Sequence, residues 1–372
     1  MKILHISFAK SWNGGEQQTI DLIDQLNEMN QQNILLCLKN SSIEKYAKEN
    51  KIEHEGIEKK GIGNIFYLKS IKRKIDRISP DILHIHTSNF LSYFVLADIL
   101  FSINYPVIFS VKAIIRGKNI LSKLKYNYKG IDKIYCVSQA VRSNFSDKVL
   151  VGKNKEKAIV ILDGINIKRL SINNEIDFRT KFGLPENSFI VGNVANHTKS
   201  KDLITFLKAA NFIINNKKIP NIYFIQIGGF SKRSKDYLAY MKNNVLEEKV
   251  FFTNFIKNAS GCIPQFDIKL MSSSREGLSL SILEAFYFKV PVVSTNAGGI
   301  PEAITDKKNG LLSNVGDYKS LAENVLKIYD DDVLGKSLSE TADKILRSQF
   351  DSTLMGDNTF KVYKKMLKKN RE

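Results

Sequence analysis

Two glutamates, Glu276 and Glu284, enclose seven residues that include Gly277, Leu278 and Ser279. Leu280, Leu283 and Phe286 recur at helical spacing and Ser279 or Ser281 is placed to cap, so a helix is expected to begin just after Gly277. The start of a helix offers free backbone amides to an anion. Glu276 then stands ahead of that start and Glu284 lies two turns inside it, roughly 12 Å away at about 1.5 Å per residue. This separation suits carboxylates that hold opposite ends of a nucleotide sugar, with its diphosphate at the amides. It fits less well the two acids about 5 to 9 Å apart that cleave a glycosidic bond.

Asn13-Gly14-Gly15-Glu16 follows the first strand-like run and opens an amphipathic stretch. Paired glycines let backbone approach a phosphate or sugar closely. Their spacing is not the Gly-x-Gly-x-x-Gly of dinucleotide-binding folds, which argues against a dehydrogenase. In Asp81-Ile82-Leu83-His84-Ile85-His86, alternation puts His84 and His86 on one face at a strand's carboxyl end. No third ligand suggests itself, so the pair is read as a polar cleft lining in preference to a metal site. Lys112 ends the run Phe109-Ser110-Val111-Lys112, and Lys199 and Lys201 fall in the loop after Gly192-Asn193-Val194. Asp330-Asp331-Asp332 follows an amphipathic helix and is read as its solvated end, not as a metal-binding Asp-x-Asp motif.

Positioning these groups requires strands that end at them. Strands are expected at Lys2 to Phe8, Asn33 to Leu38, Asp81 to His86, Val107 to Val111 and Lys133 to Val137, with helices at Glu16 to Met29 and Ile65 to Ile78. A polar stretch from Asp163 to Asn187 reads as an interdomain linker. Beyond it, strands are expected at Phe189 to Val194, Ile222 to Ile227, Val250 to Phe252, Ile268 to Met271 and Pro291 to Ser294. Helices are expected at Leu203 to Asn215, Ser234 to Asn244, near Leu280 to Phe288 and at Lys319 to Tyr329. Short β-branched runs alternating with amphipathic stretches mark parallel α/β layers, whose ligands sit beyond the carboxyl ends of the strands. The fold class is α/β: two Rossmann-like, doubly wound parallel-sheet domains, expected to face a central cleft.

Composition agrees with this. The 372 residues are 43% hydrophobic and 25% charged, ordinary proportions for two cores. Cys37, Cys136 and Cys262 lie far apart in apolar runs, which fits neither a disulfide framework nor a zinc site and matches a reducing cytoplasm. The N-terminal run enters a strand directly, and the longest apolar stretch, Phe90 to Val111, is broken by Asp98, Asn104 and Pro106, so a soluble protein is expected. Net charge is +18, and residues 101–170 alone carry 14 Lys and Arg against 4 Asp and Glu. That field favours an anionic partner: nucleic acid, a phospholipid surface or a diphosphate-bearing substrate. No nucleic-acid motif or interleaving of aromatic and basic residues accompanies it. Within it, Lys118 to Lys133 places Leu121, Leu124 and Tyr128 on one helical face among lysines, the pattern of a helix lying on anionic lipid.

The segment after Glu284 continues with Pro291-Val292-Val293, Gly298-Gly299-Ile300-Pro301-Glu302 and Asn309-Gly310-Leu311-Leu312. Together these resemble the donor-domain signature of retaining GT-B glycosyltransferases of family 4. The likeness covers most of the chain: the Asn13 to Glu16 loop, the Asp81 to His86 strand, Val137-Ser138, Val160 to Asn166 and Gly192 to Asp202 all resemble family segments. It implies a GT-B architecture with an acceptor-binding domain at 1–168 and a nucleotide-sugar domain at 169–348. The terminal segment 349–372, with Phe350, Met355, Phe360, Tyr363 and Met366, is then expected to cross back onto the first domain.

The resemblance implies Glu276, Lys201 and Lys112 as catalytic groups. It implies Gly14, Gly15, Asn196, Lys199, Lys201, Glu276, Gly277, Leu278, Ser279 and Glu284 as donor-binding, and His84, His86 and Lys112 as the acceptor-side cleft. In the family an arginine and a lysine of the loop after Gly192 usually bind the donor diphosphate. Lys201 matches the lysine, Asn196 stands where the arginine is expected, and Lys199 supplies some of the missing charge. Lys112 stands where relatives commonly carry the histidine of Thr-x-His. The implied reaction moves a hexose or N-acetylhexosamine from a UDP-linked or other nucleotide-diphosphate sugar to a hydroxyl of a lipid-linked or other glycan acceptor, with retention, in capsule, O-antigen or exopolysaccharide synthesis. Domain closure is expected to exclude water. No metal and no cofactor beyond the nucleotide sugar is expected, nor a nucleic-acid partner. The expected location is cytoplasmic, peripherally on the inner face of the plasma membrane. The alternatives are a catalytically degraded homologue that stabilises a partner, explaining Asn196 and Lys112, and a nucleic-acid-binding protein.

Overall fold

The computed structural model describes residues 1–115, 120–171 and 176–369. The chain falls into two compact units: unit 1 joins Met1–Gly164 to Ser352–Glu372, and unit 2 is Ile165–Asp351.

Unit 1 is built on seven parallel strands: Lys2–Ser7 (β1), Gln32–Leu38 (β2), His54–Ile57 (β3), Ile82–Ile85 (β4), Val107–Val111 (β5), Lys133–Cys136 (β6) and Ala158–Val160 (β7). They lie in the order β3-β2-β1-β4-β5-β6-β7. Ile3, Leu4, Ile6, Leu35, Leu36, Leu83, Ile85, Val107 and Ile108 are buried, as expected for strands covered on both faces. The winding reverses between β1 and β4, and such a reversal opens a crevice at the strands' carboxyl ends. The helix Gly14–Glu28 starts there. Asn13 adopts an extended conformation and its side chain accepts from Gly15 N, satisfying one of the first-turn amides.

The last helix, Ser352–Lys369, belongs to unit 1 and packs on Gly14–Glu28. A Cβ on Gly356 would lie 2.8 Å from Gln25 Cβ, so this contact requires glycine. Met355, Tyr363 and Met366 are buried beneath it. Residues 370–372 of the expected basic end lie outside the described residues.

Unit 2 has six parallel strands: Phe189–Val194 (β8), Ile222–Ile227 (β9), Val250–Phe252 (β10), Ile268–Met271 (β11), Val292–Thr295 (β12) and Leu311–Ser313 (β13), in the order β10-β9-β8-β11-β12-β13. Its reversal lies between β8 and β11, which pair only through Ile268↔Val191 and Lys269↔Gly192. Gly192 is obligatory: a Cβ there would lie 2.2 Å from the Phe266 ring.

Three sequence expectations change. The polar stretch Asp163 to Asn187 is not simply a linker: Phe178–Phe182 forms a short helix capped by Asp177 and closed by left-handed Gly183. Phe178 is fully buried and stacks on Phe182 and Phe266, which ties the helix to unit 2. The basic helix is shorter than Lys118 to Lys133. Lys118 lies outside the described residues, the helix is Ile120–Tyr126, and Tyr128 turns inward so that its hydroxyl donates to Asp98 at 2.6 Å. Ser279 occupies the N-cap of Leu280–Tyr287 and its carbonyl accepts from Ile282 N and Leu283 N, but its side chain makes no cap bond. Its hydroxyl lies 3.3 Å from that of Ser281, so the first-turn amides are not engaged by the Ser279 side chain. Among the described residues no helix is long and apolar enough to cross a membrane.

Candidate active site

In unit 2 the site gathers at the carboxyl ends of β8 and β11. Lys201, in the turn Lys199–Lys201, donates through Nζ to Glu276 Oε1 at 2.7 Å. Ser273 Oγ, just past β11, donates to the same oxygen at 2.6 Å. Ser272 Oγ donates to the Lys201 and Asp202 carbonyls, and Ser274 N donates to Ser200 O, so the serines after β11 also fix the lysine turn. Glu276 is buried, with Gly277, Leu278 and Ser279 following it into the helix start. The cation is therefore held by a carboxylate that stands four residues ahead of a helix start, an arrangement suited to an anion.

Glu284 is one and a half turns into that helix and is buried; Arg169 Nη2 donates to its Oε1 at 2.8 Å. Arg169 was not anticipated, because 115 residues separate it from its partner. Asn196, at the place expected for an arginine, is half-buried and engaged within unit 2. Its Oδ1 accepts from Gly229 N at 2.9 Å and stitches the loop after β8 to the loop after β9. Gly228 permits this with φ of +155°, its position lying against the Ala195 carbonyl. Lys199 is exposed.

Beneath this site lies a residue the sequence reading passed over. Lys269, on β11, is fully buried, and its Nζ donates to Asn193 Oδ1 at 2.6 Å. Burial pushes its pKa down to about 7; Lys201 pushes the same way, and Glu284 and Glu276 oppose it. The available signal was a lone lysine inside the apolar run Ile268 to Met271.

In unit 1, Gly14 and Gly15 open the helix at the β1/β4 reversal, and Lys112, just past β5, donates to Gly15 O at 2.6 Å and Thr19 Oγ1 at 2.7 Å. The lysine thus pins the glycine loop. Burial lowers its pKa to about 8, against the opposing pull of Asp163 and Glu16. Glu16 is itself buried, which raises its pKa, while Lys112 lowers it.

His84 is a correction: it does not line an open cleft. Its ring is fully buried, with Nδ1 2.6 Å from Tyr363 OH and Nε2 2.7 Å from Ser110 Oγ, because β4 lies at the centre of the sheet with the terminal helix packed nearby. His86 is 6% exposed. A third histidine also corrects the sequence reading: parallel register sets His5 of β1 beside His84, and His5, His84 and His86 hold ring nitrogens within 4.8 Å of one another. Their hydrogen bonds do not fit a metal. His5 Nε2 faces Asn33 Oδ1, whose amide donates to Asn27 and Gln31, so Nε2 carries the proton and Nδ1 accepts from His86 Nε2 at 3.0 Å. Both nitrogens of His84 are also engaged, which leaves His86 Nδ1 as the one unpartnered ring nitrogen of the three among the described residues. Burial lowers the pKa of all three, that of His5 to about 4, so the three imidazoles are neutral at pH 7.

Two parallel sheets, each reversing at a point where glycines and cations collect, carry the expected motifs in order. Residues 12–169 match glycosyltransferase family 4, and residues 174–345 match the glycosyl transferases group 1 family. The chain belongs to the group 1 glycosyltransferases of GT-B fold. It is 22% identical over 249 residues to the N-acetyl-alpha-D-glucosaminyl L-malate synthase of Bacillus anthracis, covering 67% of this chain and 63% of that protein. It is 24% identical over 230 residues to the UDP-Gal:alpha-D-GlcNAc-diphosphoundecaprenol alpha-1,3-galactosyltransferase of Escherichia coli, covering 60% and 59%. The matches span a little under two thirds of these curated relatives' length. Anabaena Alr3699/HepE, solved with UDP and glucose, shares the fold at a TM-score of 0.85 and 19% identity, over 98% of this glycosyltransferase and all of that chain.

Proposed function

We propose that this group 1 glycosyltransferase moves a hexose or N-acetylhexosamine from a UDP-sugar to a hydroxyl of a lipid-linked or other glycan acceptor in cell-surface polysaccharide synthesis, with retention of configuration and without a metal. The observation that carries the reading is the Lys201–Glu276–Ser273 cluster beside the start of Leu280–Tyr287. Breaking the bond from an anomeric carbon to a diphosphate builds negative charge on the β-phosphate. Lys201 and the first-turn amides neutralise that charge, and Glu276 holds the lysine while offering its second oxygen to sugar hydroxyls. A unit charge about 4 Å away is worth about 4 kcal/mol at an effective dielectric near 20, roughly a thousandfold in rate. Glu284, inside the helix, is placed for the ribose. The departing phosphate takes the acceptor's proton, so the reaction needs no protein nucleophile.

The names of relatives that act on a diphosphoundecaprenol-linked sugar or in capsule synthesis support a lipid-linked acceptor. The surface of unit 1 supports a membrane location. Ile120, Leu121 and Leu124 are each at least 65% exposed beside Lys123 and Lys125, and Ile99 and Leu100 are exposed on the adjacent helix Ser88–Phe101. We assign this face to anionic lipid on the inner leaflet of the plasma membrane, with the protein otherwise cytoplasmic. A second reading, a degraded homologue that binds without turnover, draws on the engagement of Asn196 with Gly229.

The test is a screen of UDP-sugars for turnover and thermal stabilisation, with the product's anomeric configuration read by NMR and activity compared with and without chelator. Retained configuration and chelator resistance are expected; stabilisation by UDP without turnover of any donor favours the degraded homologue. Flotation with anionic liposomes, lost at high salt and in Leu121→Glu/Leu124→Glu, tests the membrane face.

A further inference from the structure

Lysine is almost never fully buried without a partner of opposite charge. Lys269 is fully buried, and its hydrogen-bond partner is a neutral amide oxygen, Asn193 Oδ1 at 2.6 Å. The carboxylates whose fields reach it, Glu276 and Glu284, are each bonded to another cation, Lys201 at 2.7 Å and Arg169 at 2.8 Å. Neither carboxylate therefore makes a direct ion pair with Lys269. Its place in the fold is equally specific. Lys269 is in register with Gly192 where the sheet order reverses and β8 and β11 part after two paired residues. Asn193 donates in turn to Gln226 Oε1 at 2.7 Å, and Gln226 Nε2 donates to the Ala195 and Ile227 carbonyls, so the ammonium is seated beneath the loops that Asn196 joins.

We infer that Lys269 is a buried counter-charge for the diphosphate of the donor nucleotide, acting from beneath the loop after β8 in place of the cation that Asn196 does not supply. The inference rests on the nucleotide-sugar reading above. Without an anion, burial and Lys201 hold its pKa at about 7. A diphosphate nearby raises that value, so the protein takes up a proton as it binds. The facing charged groups are Lys201 from the turn after β8, Glu276 from the loop after β11 and Glu284, with its Arg169, from the helix Leu280–Tyr287.

The experiment is calorimetric titration of the full chain with UDP in buffers of differing ionisation enthalpy, between about pH 7.5 and 9, where a terminal phosphate of pKa about 6 stays ionised. Wild type is expected to take up roughly three quarters of a proton per UDP at about pH 7.5 and to lose affinity as pH rises. Lys269→Met abolishes the uptake and weakens UDP by about tenfold or more. Lys269→Arg keeps its charge at every pH, so it binds UDP without the pH slope. Below about pH 10, Lys269→Met also raises the melting temperature of the free protein, because the cost of desolvating or deprotonating a buried lysine is gone; a lysine kept only for its bond to Asn193 would lower it. UDP binding by wild type with no proton uptake, or unchanged UDP affinity in folded Lys269→Met, overturns the inference. Failure of wild type to bind UDP at all is a different result, and overturns the UDP-sugar reading beneath it.

Discussion

Removing Lys201 from Glu276 separates two consequences of one ion pair. The lysine side chain is 24% exposed and the glutamate 9%. Lys201→Met leaves the carboxylate with Ser273 as a neutral donor at 2.6 Å. Breaking a fully buried pair costs about 3 to 5 kcal/mol; the solvent reaching the lysine reduces the expected loss to about 2 kcal/mol. For a unit the size of Ile165–Asp351 that is roughly 4 to 8 °C in Tm. Glu276→Gln keeps an acceptor for both donors and costs under about 1 kcal/mol. The double variant recovers most of the lost stability, since no charge is left unpaired. Activity follows another rule. Turnover falls roughly a thousandfold in Lys201→Met, matching about 4 kcal/mol of lost charge stabilisation, and the double variant recovers none of it. Scanning calorimetry reads the first quantity, and UDP release from the donor that wild type accepts reads the second. A folded Lys201→Met protein within tenfold of wild-type turnover refutes the assignment, as does a double variant whose activity returns with its stability.

Other expectations follow from the same geometry. Gly228→Ala drives a Cβ to 2.0 Å from the Ala195 carbonyl oxygen at a φ of +155°; a loss of about 3 kcal/mol or more is expected by calorimetry, together with loss of UDP stabilisation. Tyr363→Phe removes the hydroxyl 2.6 Å from His84 Nδ1 in a fully buried position; stability should fall by about 1 to 2 kcal/mol and hydrogen exchange in Ser352–Lys369 should quicken. Burial pushes the thiols of Cys37 and Cys136 up to about 12 and Cys262 to about 11. A thiol reagent at neutral pH should therefore find none of the three in the native protein and all of them after denaturation.

Periodicity made the larger elements legible. Short β-branched apolar runs located β1, β2, β4 and β5, and the spacing of Leu280, Leu283 and Phe286 located the helix that carries Glu284. Three- and four-residue strands such as β3, β7 and β13 are too short to set a period. The helix Phe178–Phe182 had a readable Asp177 cap and Gly183 stop, but it is one turn and a half long and owes its place to Phe178 stacking on Phe266. Pairings between distant strands were hidden for a different reason. His5 meets His84 because the crossover order seats β1 beside β4, and nothing near either residue encodes that neighbour.

The site shows the same division between what spacing encodes and what burial creates. Lys201 and Glu276 were recognisable by type and position, whereas Lys269 reads in sequence as an ordinary interruption of an apolar strand. Its chemistry arises from an enclosed sheet centre, a neutral partner, and two nearby carboxylates that are bonded elsewhere. A cation so placed destabilises the empty protein below about pH 10, because the unfolded chain, with a lysine pKa near 10.4, binds the proton more readily. Between about pH 7 and 10 the Lys269 contribution to stability therefore rises with pH while the affinity for an anion falls. That opposition follows when a charge is retained for a ligand, and a lysine retained for packing would not produce it.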